Sequence, residues 1–298
     1  MRTSRNTTAV VVALLAVYIF WGSTAPAIKV AVRTIPPWYL AAIRFLIAGT
    51  ILWTWCRIRG VPLPAVRDWR GAAITGTLLL TLGNGVFSWC LLYIPAGLGS
   101  LFFALNPLWN AVIGAAFYRE RLSWLAIGGI ALGLGGMAYV VSPSGAEHLP
   151  LFAVLAATFA SIAWSAGSMI QRRYPATDFL QMSAMQMFVG FAELSVFGAI
   201  AGERLNVAEF SALSVGALVY LIVFGSLVAF SAYIWLARNV ETVLASTYSY
   251  VNPVVAIGIS VLVLHETLTW HTLLGAGIVL AGVALMLLPV ARMRPTTR

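Results

Sequence analysis

Two ionisable side chains lie inside long apolar stretches of the sequence. Arg44 falls in the stretch that begins at Pro37, and Glu193 falls in the stretch that ends near Ala201. If these stretches cross a membrane, each charge is costly, and its presence indicates a function. At about 1.5 Å per residue both lie at the same depth, which allows an Arg44–Glu193 ion pair or gate. The alternative, held equally, is that Arg44 extends to the interface and Glu193 caps a polar patch.

Two Asn-Pro dipeptides interrupt apolar runs, at Asn106-Pro107 and at Asn252-Pro253. A proline inside a helix has no N–H, so the carbonyl four residues earlier loses its partner. In a membrane a neighbouring helix, a side chain, water or substrate must satisfy that carbonyl. We expect both prolines near the middle of their helices, where a packed kink is favoured over direct substrate contact. A kink can also be a hinge, and Pro26 is a third hinge candidate.

Aromatic and small polar side chains surround these dipeptides. They would line an apolar cavity with scattered hydrogen-bonding groups and little charge, which suits amino acids with large apolar side chains. The predicted substrate-binding residues are Trp21, Asn84, Ser88, Phe102, Asn106, Trp164, Ser168, Tyr248 and Asn252. Tyr18 and Tyr233 belong to the wider set from which these are chosen. The alternative for any single aromatic residue is core packing or an anchor at the lipid interface.

The patterns expected of an enzyme are missing from the sequence. It has no GxxxxGK[ST] loop for ATP, and the segment around His265 does not form the HExxH pattern of a zinc protease. Cys56 and Cys90 lie in apolar stretches and predict neither a disulfide nor a metal site. We therefore expect no catalysis, no cofactor and no metal.

The elements that carry these residues are predicted membrane spans. Hydrophobic residues make up 61% of the 298-residue chain and charged residues 9%, whereas soluble domains carry about 25% charged residues. The net charge of +9 does not indicate nucleic-acid binding, because the arginines stand in short segments between apolar runs. The first apolar run is long enough to span and has no clear cleavage site, so we interpret it as a retained helix rather than a signal peptide.

Ten segments are long and apolar enough to cross a bilayer, which takes about 20 residues each. They cover residues 9–32, 37–56, 70–92, 97–118, 123–142, 149–172, 178–201, 210–237, 242–264 and 270–290. With the N-terminus inside, 14 of the 18 Lys and Arg residues fall on the inner side, 3 on the outer side, and Arg44 within a helix. This asymmetry predicts a multi-pass protein of a bacterial-type inner (plasma) membrane with both termini cytoplasmic.

The sequence contains an internal duplication. At a constant offset of 146, Gly99–Trp124 matches Ala245–Trp270, including the Asn-Pro pairs and the acids Glu120 and Glu266. Each copy holds five spans, an odd number, so the second copy must be inverted relative to the first. Inverted repeats are typical of secondary transporters, whose binding site lies near the midplane. The predicted fold is an all-α polytopic membrane protein with ten transmembrane helices as two inverted five-helix repeats, residues 1–145 and 146–298.

The ends of the duplicated stretch have predicted structural functions. Ser123 and Thr269 are expected to cap the helices that follow, and an acid beside a helix start is electrostatically favourable. For Glu120 and Glu266 we favour this structural function over a proton relay. The glycines of the fifth and tenth spans are expected to permit close contacts between helices. They predict that these two spans form a scaffold or a dimer face. These glycines are Gly129, Gly133, Gly136, Gly275, Gly277 and Gly282.

The ordered set of these features resembles the drug/metabolite transporter superfamily, specifically its EamA-type exporters. It comprises the five-plus-five duplication, the paired Asn-Pro helices, the Glu-x-Leu-[Ser/Thr] endings and Trp21-Gly22-Ser23 beside Trp164-Ser165-Ala166. Within the superfamily the chain is most similar to the aromatic amino-acid exporters. The resemblance implies a secondary transporter, monomer or homodimer, that exports amino acids by alternating access around a midplane cavity.

Other substrates and mechanisms remain as alternatives. Other small metabolites or drugs are possible substrates; phosphorylated or nucleotide sugars are disfavoured because they need buried cations and only Arg44 lies well inside a span. A channel-like facilitator is disfavoured because no ring of carbonyls or like charges is legible. The sequence leaves open whether export is coupled to protons.

Overall fold

The computed structural model describes residues 7–142, 149–174, 178–240, 244, 247–267 and 269–292. Within these ranges every regular element is helical. Seven helices are long and apolar enough to cross a membrane, and three shorter apolar helices accompany them. The seven are Thr7–Ala31, Pro37–Ile58, Val66–Cys90, Ala96–Tyr118, Leu151–Gln171, Phe179–Ile200 and Ala212–Tyr233; the shorter ones are Trp124–Val140, Tyr248–Leu264 and Trp270–Met286. Each overlaps one of the apolar segments read from the sequence.

Several of these spans consist of more than one regular helix. The α-helices are α1 (Thr7–Gly22), α2 (Thr24–Ala31), α3 (Pro37–Ile58), α4 (Val66–Gly76), α5 (Val86–Cys90), α6 (Ala96–Ala104), α7 (Asn106–Tyr118), α8 (Trp124–Val140), α9 (Leu151–Gln171), α10 (Phe179–Ile200), α11 (Ala212–Tyr220), α12 (Ala229–Asn239), α13 (Tyr248–Leu264) and α14 (Trp270–Arg292). A first π-helix (Thr77–Gly85) joins α4 to α5, and a second π-helix (Leu221–Val228) joins α11 to α12. A short 3₁₀ helix covers Val207–Glu209.

The interruptions have physical causes. The first span breaks at Ser23, between Trp21-Gly22 and the helix that contains Pro26. The hydroxyls of Ser23 and Thr24 both donate to the carbonyl of Phe20, at 3.1 and 3.0 Å, and so satisfy an acceptor at the break. The two π-helices have a geometry that is rare in proteins, and where it occurs it is often found at functional sites.

The described helices form two compact packing units. The first packing unit comprises residues 1–24, 95–149 and 228–298, and the second comprises residues 25–94 and 150–227. Each packing unit therefore contains residues from both predicted repeats, 1–145 and 146–298. The boundary between the repeats in the sequence is not the boundary between the packing units. The chain passes from one unit to the other twice within spans, after Thr24 and after Leu227. The first crossing lies next to the break at Ser23, and the second lies at the end of the second π-helix.

In the first packing unit, α8 and α14 approach each other backbone to backbone. A Cβ atom built on Gly282 would lie 2.5 Å from the Gly133 nitrogen and 2.7 Å from the Gly129 carbonyl oxygen. A Cβ atom on Gly136 would lie 2.8 Å from the Val279 nitrogen. Five of the six glycines predicted to permit close helix contacts do so within the chain itself, whereas a Cβ atom on the sixth, Gly277, would meet nothing within 4 Å.

In the second packing unit, α3 and α10 pack along most of their length. Phe45, Ala48 and Met185 are buried there, and Gly49 brings α3 close to Met187. The first π-helix packs against α9 and α10. Gly167 of α9 permits this approach, since a Cβ atom on it would lie 2.9 Å from side-chain atoms of Leu78 and Leu79.

Candidate functional site

Three aromatic rings pack on one another in the first packing unit. Trp21 lies with its ring centroid 5.1 Å from that of Tyr233 and 5.3 Å from that of Tyr248. The two tyrosine rings are 5.6 Å apart and meet edge to face. These separations and tilts are the ones that aromatic pairs prefer. We call Trp21, Tyr233 and Tyr248 the aromatic cluster.

Two local features bring the aromatic cluster together. Gly22 lets α1 approach α13 closely, since a Cβ atom there would lie 2.7 Å from the Val255 Cβ atom and 3.2 Å from the Asn252 carbonyl oxygen. The hydroxyl of Tyr18 is hydrogen-bonded to that of Thr247, just before α13 begins. Tyr18 and Trp21 are three residues apart and so lie on one face of α1.

An unpaired amide oxygen lies beside this cluster. Asn252 follows Tyr248 by four residues on α13, so the two side chains share a face. The Asn252 Oδ1 atom is buried and accepts no hydrogen bond in the described structure. A buried acceptor without a donor is costly, so it can gain free energy by accepting a hydrogen bond from water or from another donor. On α7 of the same unit, Trp109 Nε1 and Asn110 Oδ1 are buried and unpaired in the same way.

A second set of predicted residues meets in the second packing unit. The first π-helix carries Asn84, whose buried Oδ1 atom also lacks a donor among the described residues. The ring of Trp164 on α9 packs on the neighbouring Gly83, where a Cβ atom would lie 3.2 Å from it. The Ser88 hydroxyl donates to the Asn84 carbonyl of the first π-helix at 2.8 Å, and the Ser168 hydroxyl donates to the Trp164 carbonyl of its own helix at 2.9 Å. Each hydroxyl proton is therefore already donated to a backbone carbonyl, and the serine oxygen remains able to accept a hydrogen bond from a ligand.

The remaining predicted contacts are less accessible. Phe102 has no exposed surface and packs within the first unit. Asn106 is partly buried and has an interaction partner. Pro107 is not interior to a continuous helix, as the sequence analysis expected, because the span breaks at Leu105 and Pro107 is the second residue of α7. Pro253 does lie inside a continuous helix, α13.

Arg44 and Glu193 bind different partners, both in the second packing unit. The Arg44 Nε atom donates to the Ser226 hydroxyl at 2.8 Å. The Glu193 carboxyl contacts the hydroxyls of Thr77 and Thr81, at 2.6 and 2.5 Å. In the part of the chain that the structure describes, the ion pair between Arg44 and Glu193 is not formed. Each residue instead binds a π-helix, the second for Arg44 and the first for Glu193. Depth in the membrane, read from the sequence, does not fix which way a side chain points around its helix.

Glu266 caps a helix, although not the one expected from the sequence. Its carboxylate accepts the N–H groups of Ala96 and Gly97, at 2.8 and 3.1 Å, at the start of α6. The helix that follows it, α14, is capped by the Thr269 hydroxyl, which accepts from Thr272 N at 3.2 Å. Ser123 caps α8 in the same way, at 3.1 Å from Ala126 N. The predicted caps at Ser123 and Thr269 are confirmed.

Two charged groups bind helix ends in the second packing unit. The Lys29 ammonium donates to the carbonyls of Leu91 and Ile94, at 2.6 and 3.1 Å, beyond the end of α5. The Glu203 carboxyl lies 3.4 and 3.3 Å from the N–H groups of Trp38 and Tyr39, in the first turn of α3. Burial raises the pKa of Glu203 above its ordinary value, and the two N–H groups act against this rise.

Sequence reasoning missed several partners. Tyr233 belongs to the wider set of candidates but not to the predicted substrate-binding residues, and it completes the aromatic cluster. Thr77 and Thr81 were not singled out, although their spacing of four places both hydroxyls on one helix face, where an acid could bind them. Ser226 stands within a continuous apolar run, so no local pattern marks it as the partner of Arg44.

Comparison with known proteins gives consistent matches over nearly the whole chain. A model of the EamA-like transporter family matches residues 8–142 and again residues 151–288. The inner membrane transporter YedA of Escherichia coli (strain K12) is 35% identical over 281 residues, which cover 93% of this chain and 90% of the relative. The transporter YvbV of Bacillus subtilis (strain 168) is 27% identical over 286 residues, covering 95% and 92%.

A further relative and a solved structure agree with these matches. A protein of Salmonella typhimurium (strain LT2) described as a "probable amino-acid metabolite efflux pump" is 26% identical over 282 residues, covering 90% of this chain and 91% of the relative. One crystal structure matches with a TM-score of 0.67 at 22% identity, over 96% of this chain and 100% of that chain. At this identity the match shows a shared fold only.

Proposed function

The chain belongs to the EamA-like transporter family, and from this premise we propose that it exports amino acids, preferably aromatic or other apolar ones, by alternating access. Transport itself follows from the family, and a membrane location follows from the apolar helices. The substrate class and the mechanism are the proposal. Its main support is the aromatic cluster together with the unpaired amide oxygen of Asn252.

These groups match the chemistry of such a substrate. The rings of Trp21, Tyr233 and Tyr248 offer an apolar surface on which an aromatic or branched side chain can pack. The Asn252 Oδ1 atom accepts a hydrogen bond, which the α-ammonium group of an amino acid can donate. The amide oxygen of Asn110, on α7 of the same packing unit, is a further acceptor of the same kind. A mostly apolar pocket with a few placed polar groups is typical of small-molecule sites.

The charges within the described spans argue against strongly anionic substrates. Lys29 donates to two backbone carbonyls, and Arg44 donates to Ser226. A phosphorylated substrate would have to draw one of these cations away from its partner. Neutral and zwitterionic molecules require no such exchange. Other small metabolites or drugs of similar polarity remain the alternative substrates, and a channel-like facilitator remains the alternative mechanism.

The proposal includes a membrane topology. We infer that the three shorter apolar helices also cross the bilayer, which gives ten spans arranged as two inverted five-helix repeats. The distribution of Lys and Arg then puts both termini on the cytoplasmic side. Thiol labelling of single cysteines introduced at Glu120 and at Glu209, in a variant without Cys56 and Cys90, tests this orientation. We expect an impermeant reagent to label only position 209 from outside.

Transport into proteoliposomes tests the substrate class. Purified protein is reconstituted, and uptake of a panel of labelled amino acids is measured with and without unlabelled amino acid trapped inside. We expect saturable uptake and counterflow for tryptophan, phenylalanine and leucine, and little for aspartate or a sugar phosphate. Counterflow distinguishes a carrier from a channel. Equal uptake of charged and apolar amino acids would contradict the proposed substrate class.

A further inference from the structure

We propose that one end of the second packing unit binds the headgroup of an anionic phospholipid such as phosphatidylglycerol. Four helix ends lie there, namely the end of α3, the start of α4, the end of α9 and the start of α10. We call this part of the molecule the basic end. The proposal concerns contact with the lipid bilayer, so it does not rest on the proposed transport function.

Side-chain contacts join the four helix ends. A Cβ atom on Gly71, in the second turn of α4, would lie 2.9 Å from ring atoms of Tyr174, which follows α9. The Gln181 amide of α10 donates at 2.8 Å to the Pro62 carbonyl, in the segment between α3 and α4. Charged residues from two distant stretches of the sequence therefore gather at one end of the packing unit.

The basic end carries far more positive than negative charge. Its six arginines are Arg57, Arg59, Arg67, Arg70, Arg172 and Arg173, and its two acids are Asp68 and Asp178. Five of the arginines are exposed, and Arg57 is half-buried. Among the described residues, the one salt bridge at this end joins Arg67 Nε to Asp68 Oδ1 at 3.8 Å, while Asp178 caps α10. Most of the positive charge is therefore not neutralised by acids of the chain.

The opposite end of the same packing unit provides a contrast. It carries Lys29, Arg33 and Arg204 against Glu203 and Glu209, so its charges nearly balance. Lys29 also donates to two backbone carbonyls. The positive potential is thus concentrated at the basic end, and salt screens it over distances of about 8 Å at physiological ionic strength.

One cation of the basic end is held in a fixed position. The guanidinium carbon of Arg57 lies 4.9 Å from the centroid of the Trp53 ring, and its Nη2 atom donates to the Pro62 carbonyl at 3.2 Å. Trp53 in turn packs on Trp69 of α4, with ring centroids 6.2 Å apart. A guanidinium fixed in this way loses little conformational entropy when it binds an anion, and its planar N–H groups match the oxygens of a phosphate.

Tryptophan side chains place the basic end at the surface of the bilayer. Trp55 is 53% exposed in the last turn of α3, and Trp69 is 37% exposed in the first turn of α4. Tryptophan is enriched where the hydrocarbon meets the headgroups, so the arginines beside these rings lie at the level of the lipid phosphates. Basic clusters next to membrane spans, and basic pockets between them, bind anionic headgroups. The position at this level favours a lipid over a soluble partner.

Lipid titration of the purified protein tests the proposal. Thermal unfolding is followed in a mild detergent while phosphatidylglycerol, or phosphatidylcholine with the same acyl chains, is added. We expect phosphatidylglycerol to raise the melting temperature of the wild type at a lower concentration than phosphatidylcholine does. In Arg70→Gln/Arg172→Gln the concentration required should rise about fivefold for each arginine removed. In Arg33→Gln/Arg204→Gln, which removes the same charge from the opposite end, it should not change.

The same titration can overturn the proposal in three ways. These are a similar rise in concentration for both double variants, equal stabilisation by the two lipids, and stabilisation by inorganic phosphate that matches that by phosphatidylglycerol. The last result would identify a free anion as the ligand. Because Arg70 and Arg172 are exposed, we expect the variants to fold. If Arg70→Gln/Arg172→Gln does not fold, the wild type decides: added NaCl should weaken stabilisation by phosphatidylglycerol alone, and stabilisation that is independent of salt would overturn the proposal.

Discussion

In their described residues, the two copies of the duplicated stretch, Gly99–Trp124 and Ala245–Trp270, share the turn at one end and differ at the Asn-Pro pair and at the acid. At the shared end, Arg119 and His265 both adopt the left-handed conformation, with φ of 56° and 55°. The next N–H group closes the same bond in each copy, from Glu120 to the Gly114 carbonyl at 3.2 Å and from Glu266 to the Ser260 carbonyl at 3.0 Å. The helix caps Ser123 and Thr269 then follow at the same offset of 146.

The differences concern the Asn-Pro pair and the acid. In the first copy the helix breaks at Leu105 before Asn106-Pro107, whereas Pro253 lies within α13. Glu266 accepts two N–H groups from the start of α6, whereas Glu120 is exposed. Local sequence therefore determines the turn in both copies, and the tertiary environment determines what the proline and the carboxylate do. The following predictions test that separation between local and tertiary control.

The largest effect is expected at Gly136 and Gly282, where α8 and α14, the helices that follow the two copies, pack on each other. Alanine at Gly282 places a Cβ atom 2.5 Å from a backbone nitrogen, and alanine at Gly136 places one 2.8 Å from another. Because backbone atoms cannot move aside without distorting the helix, we expect each substitution to lower the free energy of unfolding by at least about 1–3 kcal/mol. Thermal unfolding in detergent measures this loss.

The matched control for these two is Gly277→Ala in α14. Its Cβ atom would meet nothing within 4 Å, and alanine favours a helix over glycine by about 1 kcal/mol. We expect it to be neutral or stabilising. A loss at Gly277 equal to that at Gly282 would mean that the close approach of α8 and α14 is not what requires glycine.

The next effect separates the two acids. Glu266→Ala removes both acceptors from the first turn of α6, and we expect a loss of about 1–2 kcal/mol, the range of helix caps. Glu120→Ala, at an exposed position, should stay within about 0.5 kcal/mol. Glu266→Gln retains one acceptor oxygen and should fall between. Thermal unfolding measures these losses. Similar losses for the two alanine variants would show that Glu120 and Glu266 contribute equally to stability, against the difference seen in their contacts.

Much of the fold could be predicted because it depends on local signals. Apolar length locates the seven long apolar helices and the three shorter ones, and Ser123 and Thr269 mark two helix starts. The residues that sequence reasoning missed depend on partners distant in the chain, as Arg44 does on Ser226 and Glu193 on Thr77. The π-helices have no composition of their own, so the irregular element that carries Asn84 was not predictable from the sequence. The aromatic cluster was predicted in part, since Trp21 and Tyr248 were chosen without Tyr233.

The two asparagines of the Asn-Pro pairs should separate stability from transport. Asn252 has an unpaired buried oxygen, so Asn252→Leu loses no hydrogen bond at that atom. We therefore expect the free energy of unfolding to change by less than about 1 kcal/mol. Transport of apolar amino acids should nevertheless fall strongly. Asn106 has an interaction partner, so Asn106→Leu should cost about 0.5–1.5 kcal/mol. Full transport by a stable Asn252→Leu protein would remove Asn252 from the proposed site.

The smallest effect concerns a second acid at a helix start. Glu203 lies beside the first turn of α3 as Glu266 lies beside that of α6, but its contacts are longer, at 3.4 and 3.3 Å. Burial raises the pKa of Glu203 in the folded protein above its ordinary value, so the folded state holds this proton more tightly than the unfolded state does. The stability that the proton provides is complete below the ordinary carboxyl pKa and is lost as pH rises through the folded pKa. As the pH is raised through this range, the melting temperature of the wild type should therefore fall slightly more than that of Glu203→Gln. If the two melting temperatures change with pH in parallel, burial of this carboxyl has no net effect on folding.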